Sequence, residues 1–235
     1  YRMCPPLIVL GGDGAMLDIG FQNLSRMLIS GRPIKVLVVD TQVYSNTGGQ
    51  VCTSGFIGQV SDMAAFGEHQ KGKIEPRKEI GLMGIAHRGV FTAQTSAAHM
   101  NHMLKAFILG LNSRRPALFS TYTTCQPEHG VADHMSNDQA RMIRDSRGMP
   151  EFIFNPRVGE TISESFELKG NPTLKRDWWE TKYKSTGDKY NYTVAHWAIT
   201  EARFRPHLKA IPESSAGEFI HLDNMLMLLT QQDVT

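Results

Sequence analysis

The 235-residue sequence has no apolar run long enough to span a bilayer as a helix, no internal repeat and no low-complexity tract. These absences set aside a helical membrane protein and a solenoid. No signal-peptide pattern opens the chain, and cysteine is scarce. The three thiols, Cys4, Cys52 and Cys125, are far apart and odd in number. That argues against a secreted disulfide scaffold and makes a reducing, cytoplasmic compartment the expectation. An excess of charge is also lacking. The formal net charge is +2, so neither nucleic acid nor a membrane surface is expected as the main partner. What is there is ordinary for a globular chain with a core: 41% hydrophobic and 20% charged residues. The length suits one large domain, or one domain with an extension. The chain opens at Tyr1 and runs almost at once into a strand, which suggests a fragment of a longer polypeptide.

Hydrophobic patterning supplies the elements. "PLIVLGG" (6–12) and "IKVLVVD" (34–40) are continuous apolar runs, the mark of buried parallel strands. Between them, Leu17, Phe21, Leu24 and Leu28 recur at helical spacing up to Gly31, a C-terminal capping residue. A short helix is expected over 79–89, a strand over 90–96, a Met-rich amphipathic helix over 97–112 and a strand over 116–123. Strands alternating with helices predict an α/β domain with a parallel sheet flanked by helices. After residue 150 the pattern weakens. Residues 166–192 are polar with scattered aromatics, and a helical pattern returns over 193–211 as far as Pro206. The expected organisation is a core over 1–150 and a less regular extension over 151–235 that packs on the core or on a partner.

In open α/β sheets, ligands sit beyond the carboxyl ends of the strands. Two such ends stand out here. The first strand closes on Gly12-Asp13-Gly14, where glycines admit a ligand close to the backbone and the following helix offers free N–H groups to an anion. A carboxylate there repels a phosphate unless a divalent cation lies between them, and Mg²⁺ takes carboxylate and phosphate oxygens together. The second strand end, Thr41 to Gln50, carries hydroxyl, carbonyl and amide oxygens that can serve the same cation. About thirty residues, one helix and one return strand, separate the two loops, so they are expected to be neighbours. The order of glycines is not a dinucleotide fingerprint, and no Gly-Lys-Ser/Thr follows to make a P-loop.

The wording "GGDGAMLDIGFQNL" followed by "VVDTQVYSNTGGQ" resembles the thiamine diphosphate-binding domain of the pyruvate:ferredoxin (flavodoxin) oxidoreductases and their long-chain 2-oxoacid relatives. The resemblance continues through "VFTAQTSAAHMNHMLKAF" and "RPALFSTYTTCQPEHG" and covers residues 5 to 135. It implies that Asp13, the Thr41 side chain and the Val43 carbonyl ligate Mg²⁺. It implies that Asn46 faces the diphosphate and the reaction centre, and that Gly12, Gly14 and Gly48 give the cofactor room. Cys125 matches a lone cysteine that ligates the proximal [4Fe–4S] cluster, whose other ligands lie outside this sequence. The implied reaction is oxidative decarboxylation of pyruvate or a related 2-oxoacid, with the acyl group passed to coenzyme A and electrons to ferredoxin or flavodoxin. The glutamate that activates the cofactor comes from another domain in the family, so the isolated chain is expected to be inactive and the full enzyme to be a homo-oligomer. Ala15, Met16 and Leu17 stand where the family usually has a bulky aromatic, and "VCTSGF" replaces small residues and a lysine. Two other readings stay open: a non-redox thiamine-dependent decarboxylase or synthase domain, which leaves Cys125 without purpose, and a cofactor-binding module without catalysis.

Other residues have blander readings. Cys52 is expected to be a small core residue rather than a functional thiol. His99 and His102, three apart on an expected helix, have a spacing that can hold a metal. No third ligand is legible, which favours packing or solvated histidines. His129 and His134 could hydrogen-bond near the cluster or the substrate. Asp18 suits a local hydrogen bond, Trp178-Trp179 an interface or a packed aromatic pair, and Lys71-Gly72-Lys73 and Arg114-Arg115 solvated charge. Cys4 receives no role.

Overall fold

The computed structural model describes residues 5–220 and 224–225. Four parallel strands form its centre: β1 (Leu7–Gly12), β2 (Ile34–Asp40), β3 (Phe91–Ser96) and β4 (Ala117–Tyr122). Their order is β1-β2-β4-β3, and β5 (Phe152–Phe154) and β6 (Phe166–Glu167) add antiparallel strands beyond β3. The expected α/β class with a largely parallel sheet is therefore what the chain adopts. The carboxyl ends of β1 to β4 share one edge. In register, Gly12 pairs with Val39 and Asp40 with Tyr122, while Ser96 faces the same Tyr122. Asp13, Thr41, Ala97 and Thr123 consequently emerge along one rim.

The helices bury apolar stripes on the sheet. Leu24 and Leu28 of α1 (Phe21–Ile29) join Val36, Val38 and Leu118, together with Ile80 from α2 (Ile80–Ala86). Ala106 of α3 (Met100–Leu111) packs with Phe91, Ala93, Phe119 and Ile153. Gly84 and Gly110 are small for a reason: a Cβ at either would lie 2.7 Å or less from Leu118 or Phe119. A third cluster joins Tyr122 to Ala140 and Ile143 of α4 (Ser136–Asp145) and to Trp197 and Phe204.

Four expectations change. The helix expected over 16–31 is broken into a π-helical turn over Gly14–Ile19 and α1, because Gly20 N–H reaches back to the Ala15 carbonyl at 2.8 Å. Such turns recur at functional sites. The helical pattern over 193–211 yields a helix only at Val194–Ala198 and a single turn at Arg205–His207. Its apolar residues instead drop Trp197 and Phe204 into the third cluster. Strand β1, expected to be buried, is the sheet's edge, with Leu7, Ile8 and Leu10 exposed at 55%, 59% and 68%. The aperiodic stretch 166–192 holds a hairpin, Trp179–Lys182 with Lys189–Tyr192.

Candidate cofactor site

Asp13 is almost wholly buried and accepts four hydrogen bonds. Gly14 N–H (3.0 Å) and Thr41 Oγ1 (3.3 Å) reach Oδ1, while Gln42 N–H (2.5 Å) and Ser54 Oγ (2.6 Å) reach Oδ2. Burial, followed by the Asp40 charge, pushes its carboxyl up to about 7, against the pull of those donors. A buried carboxyl so disposed lacks a countercharge. Thr41 Oγ1 also lies 3.0 Å from the Val43 carbonyl, so its single proton is shared between that carbonyl and Asp13. Thus an Asp13 carboxylate oxygen, the Thr41 hydroxyl and the Val43 carbonyl are successive neighbours at 3.3 and 3.0 Å.

The loop that carries Thr41 and Asn46 is a hairpin. Val43–Tyr44 pairs antiparallel with Gln50–Val51 around a single turn at Ser45–Thr47. Gly48 and Gly49 have φ of +104° and +86°, which favour glycine. Gly48 does not line the cavity, and a Cβ there would meet only Gln50 Nε2 at 3.8 Å. The positive φ by itself accounts for a glycine at this position. Tyr44 OH spans the two loops, its single proton within reach of the Gly14 carbonyl (3.3 Å) and of Asp18 Oδ2 (3.0 Å). Asp18 also accepts from Thr53, so it ties loops together as a structural hydrogen-bonder.

A cavity of about 400 Å³ opens against these groups. It is lined by Gly12, Asp13 and Gly14 from the first loop and by Thr41, Val43, Tyr44 and Asn46 from the second. No atom lies within 4 Å of where a Cβ on Gly12 would stand, whereas a Cβ on Gly14 would strike the Tyr44 ring at 2.4 Å. Gly12 faces open space at the cavity, and Gly14 is packed against the Tyr44 ring.

Behind the loop is a network that the sequence does not announce. Gln42 adopts φ +63°, uncommon for a side-chain-bearing residue. Its side-chain oxygen accepts from Arg203 and its carbonyl from Gln59 Nε2 at 2.8 Å. Arg203 also donates to Gln59 Oε1 (3.0 Å) and to Glu201 Oε2 (2.6 Å). His129 Nε2 donates to the Thr41 carbonyl at 2.9 Å. Burial, then the Arg203 charge, holds His129 well below the usual imidazole range, so it serves as a neutral donor. His134 is exposed.

The other thiols and cations resolve plainly. Cys52 is buried, 3.2 Å from Ser54 Oγ, and burial ahead of the Asp13 charge raises its thiol to about 12, so it is an inert core group. Cys125 is a free, partly exposed cysteine two residues beyond Thr123, at the start of the short helix Gln126–His129. Cys4 lies outside the described residues. Lys73 departs from the expectation of solvated charge. It is buried, and its ammonium donates to the Glu75 (2.5 Å) and Pro76 (3.1 Å) carbonyls. His102 is buried, which lowers its pKa, and with His99 it faces Glu151, a third neighbour 49 positions along the chain.

Fold and site together define an α/β domain with a cavity between two glycine-bearing loops at the carboxyl edge of a parallel sheet, where open α/β sheets commonly take their ligands. Residues 3–121 match the thiamine pyrophosphate enzyme family through its C-terminal TPP binding domain, and the chain belongs to that family. It is 36% identical over 216 residues to the pyruvate-flavodoxin oxidoreductase of Trichormus variabilis, covering 89% of this chain and 17% of that protein. It is 33% identical over 161 residues to the pyruvate:ferredoxin oxidoreductase of Moorella thermoacetica, covering 68% of this chain and 13% of the relative. Across such curated relatives the chain spans between 8% and 17% of their length. Its fold is similar to that of a 2-oxoglutarate:ferredoxin oxidoreductase from Magnetococcus marinus solved with 2-oxoglutarate, coenzyme A and succinyl-CoA bound. That match has a TM-score of 0.51 at 15% identity and covers 67% of this chain and 60% of the other. Among the described residues no helix is long and apolar enough to cross a membrane.

Proposed function

We propose that this chain is the thiamine diphosphate- and Mg²⁺-holding part of a 2-oxoacid:ferredoxin or flavodoxin oxidoreductase. The whole enzyme converts pyruvate or a related 2-oxoacid and coenzyme A to acyl-CoA and CO₂, passing two electrons singly to an iron–sulfur or flavin acceptor. The observation that carries the reading is the trio of Asp13, Thr41 and Val43 oxygens beside a family cofactor domain's open cavity. Octahedral Mg²⁺ with oxygens at 2.0–2.1 Å sets adjacent ligands about 3.0 Å apart, and the trio's spacings of 3.0 and 3.3 Å suit it. The cation also supplies the countercharge that buried Asp13 lacks.

In this proposal Asp13, Thr41 and Val43 would hold the cation, which would bind the diphosphate electrostatically. Gly12 leaves the space the diphosphate occupies. Asn46, exposed at the cavity, donates to the diphosphate and faces the reacting end. When bound, thiamine diphosphate supplies the ring carbanion that adds to the 2-oxo carbon and holds the electron pair left by CO₂. Tyr44 ties the second loop to the first, and His129 holds the second loop from behind through the Thr41 carbonyl. Cys125 is proposed as one ligand of a [4Fe–4S] cluster completed by other segments of the enzyme. Residues 151–235 are proposed as an extension of the 1–150 core, and Arg203 and Glu201 give it a task behind the clamp. The exposed apolar edge of β1 suits contact with other domains of the same enzyme.

The test is anaerobic turnover by the complete protein with pyruvate and other 2-oxoacids, coenzyme A, thiamine diphosphate and Mg²⁺. CO₂ release coupled to reduction of ferredoxin or flavodoxin is expected. CO₂ release without electron transfer would leave a non-redox decarboxylase, and cofactor binding without turnover would leave a binding module.

A further inference from the structure

His99, His102 and Glu151 meet on the same rim as the clamp, two strands away from β2. His99 closes the single turn Ala97–His99 after β3, and His102 lies in the first turn of α3. Their rings stack at 5.5 Å between centroids, 19° from parallel. Glu151 immediately precedes β5, whose pairing of Phe152 with Gln94 brings it beside Thr95 and Ser96. Glu151 Oε2 lies 3.1 Å from His99 Nδ1 and 3.9 Å from His102 Nδ1. One ligating atom from each of the three residues lies within 4.8 Å of the others.

The surroundings look built for this meeting. The Glu151 backbone is pinned on both sides by one amide: its N–H donates to Asn171 Oδ1 at 2.8 Å, and Asn171 Nδ2 donates to its carbonyl at 2.6 Å. Its other carboxylate oxygen accepts from Ser96 Oγ at 2.7 Å. Gly170, at φ +111°, lets the backbone pass so close that a Cβ would stand 2.6 Å from His99 Nδ1. The His102 and Glu151 side chains are each only 2% exposed.

Hydrogen bonding alone leaves a defect. His102 has Thr95 Oγ1 at 3.3 Å from Nδ1, while its Nε2 is buried with no partner among the described residues. If the proton is on Nε2, a buried donor is orphaned and the Nδ1 lone pair faces a carboxylate. If it is on Nδ1, the Nε2 lone pair is orphaned instead. Charging both rings would set two stacked imidazolium groups against each other in a buried place. A cation between the three groups lets both Nδ1 lone pairs face Glu151 without repulsion; it relieves that clash, while the Nε2–H of His102 stays a buried donor. Two neutral imidazoles and a carboxylate are a donor set for Zn²⁺, which takes three protein ligands and leaves a fourth place for water. Hard cations such as Mg²⁺ prefer all-oxygen sites.

We infer that His99, His102 and Glu151 form a second metal site, specific for a divalent transition metal such as Zn²⁺ and separate from the Mg²⁺ clamp. It would tie the start of α3 to β5 and to the Lys169–Asn171 segment, and its open position would admit water or a small anion.

The test measures zinc in the complete protein after incubation with Zn²⁺ and desalting. Wild type and the single variants His99→Gln and Glu151→Gln are compared by mass spectrometry, each shown to be folded by retained thiamine diphosphate binding. The variants are expected to hold about one zinc fewer per chain than wild type. X-ray absorption at the zinc edge of wild type needs no variant, and should give two imidazoles with only nitrogen and oxygen neighbours at about 2.0–2.1 Å. Wild type that retains no zinc, folded variants that retain as much as wild type, or a sulfur-ligated zinc would each overturn the inference.

Discussion

Asp13 concentrates the chemistry of the site, because four donors orient it and burial denies it water. Three of those donors, Gly14 N–H, Thr41 Oγ1 and Gln42 N–H, lie in loops that the sequence marks as a pair, although the part Gln42 plays there and the fourth donor, Ser54 Oγ, do not stand out. Ser54 sits in "TSG", a composition common to any turn, and Gln42 is recruited by a left-handed backbone that no local residue preference announces. The glycines separate in the same way. Gly14→Ala is expected to force the Tyr44 ring aside and destabilise the loops by about 1–3 kcal/mol even without cofactor. Gly12→Ala, with nothing within 4 Å, should leave the fold intact and weaken only thiamine diphosphate binding. Amide hydrogen exchange of the 41–50 loop, with and without cofactor, distinguishes the two. Equal behaviour of both variants would contradict the assignment of Gly12 to ligand space.

At the scale of elements, the four parallel strands were legible because apolar runs bounded by glycine, proline and polar turns need no partner to be recognised. Their edge position was not. Leu7, Ile8 and Leu10 have the composition of a doubly covered strand, and which faces are covered depends on what packs there. The last segment was the least legible. The pattern over 193–211 has helical spacing, yet its apolar side chains serve a cluster at the end of β4, and its charges serve the clamp. Arg203 and Glu201 are 1% and 0% exposed, and breaking such a buried pair costs about 3–5 kcal/mol. Arg203→Met should therefore lower protection of the β2 and β4 amides by that amount in hydrogen exchange of the complete protein. It should also weaken cofactor binding through Gln42. A loss confined to residues 193–211 would mean that the network does not support the clamp.

At the scale of the whole molecule, the chain makes up between 8% and 17% of its relatives, and two of its features point outward. One is the apolar edge at β1. The other is Cys125, a free and partly exposed thiol placed one turn before His129, which holds the clamp. If Cys125 completes a cluster with other segments, Cys125→Ser in the complete protein should lose about four irons per chain and electron transfer, while thiamine diphosphate binding persists. Unchanged iron content would remove Cys125 from the electron path and favour the non-redox reading.

The central claim is that Asp13, Thr41 and Val43 hold the cation that anchors thiamine diphosphate. The most direct measurement is calorimetric titration of thiamine diphosphate into the complete protein, wild type and Asp13→Ala, at several Mg²⁺ concentrations. The account predicts affinity that rises with Mg²⁺ in wild type and no Mg²⁺-dependent binding in the variant. Equal affinity and equal Mg²⁺ dependence in the two proteins would contradict it.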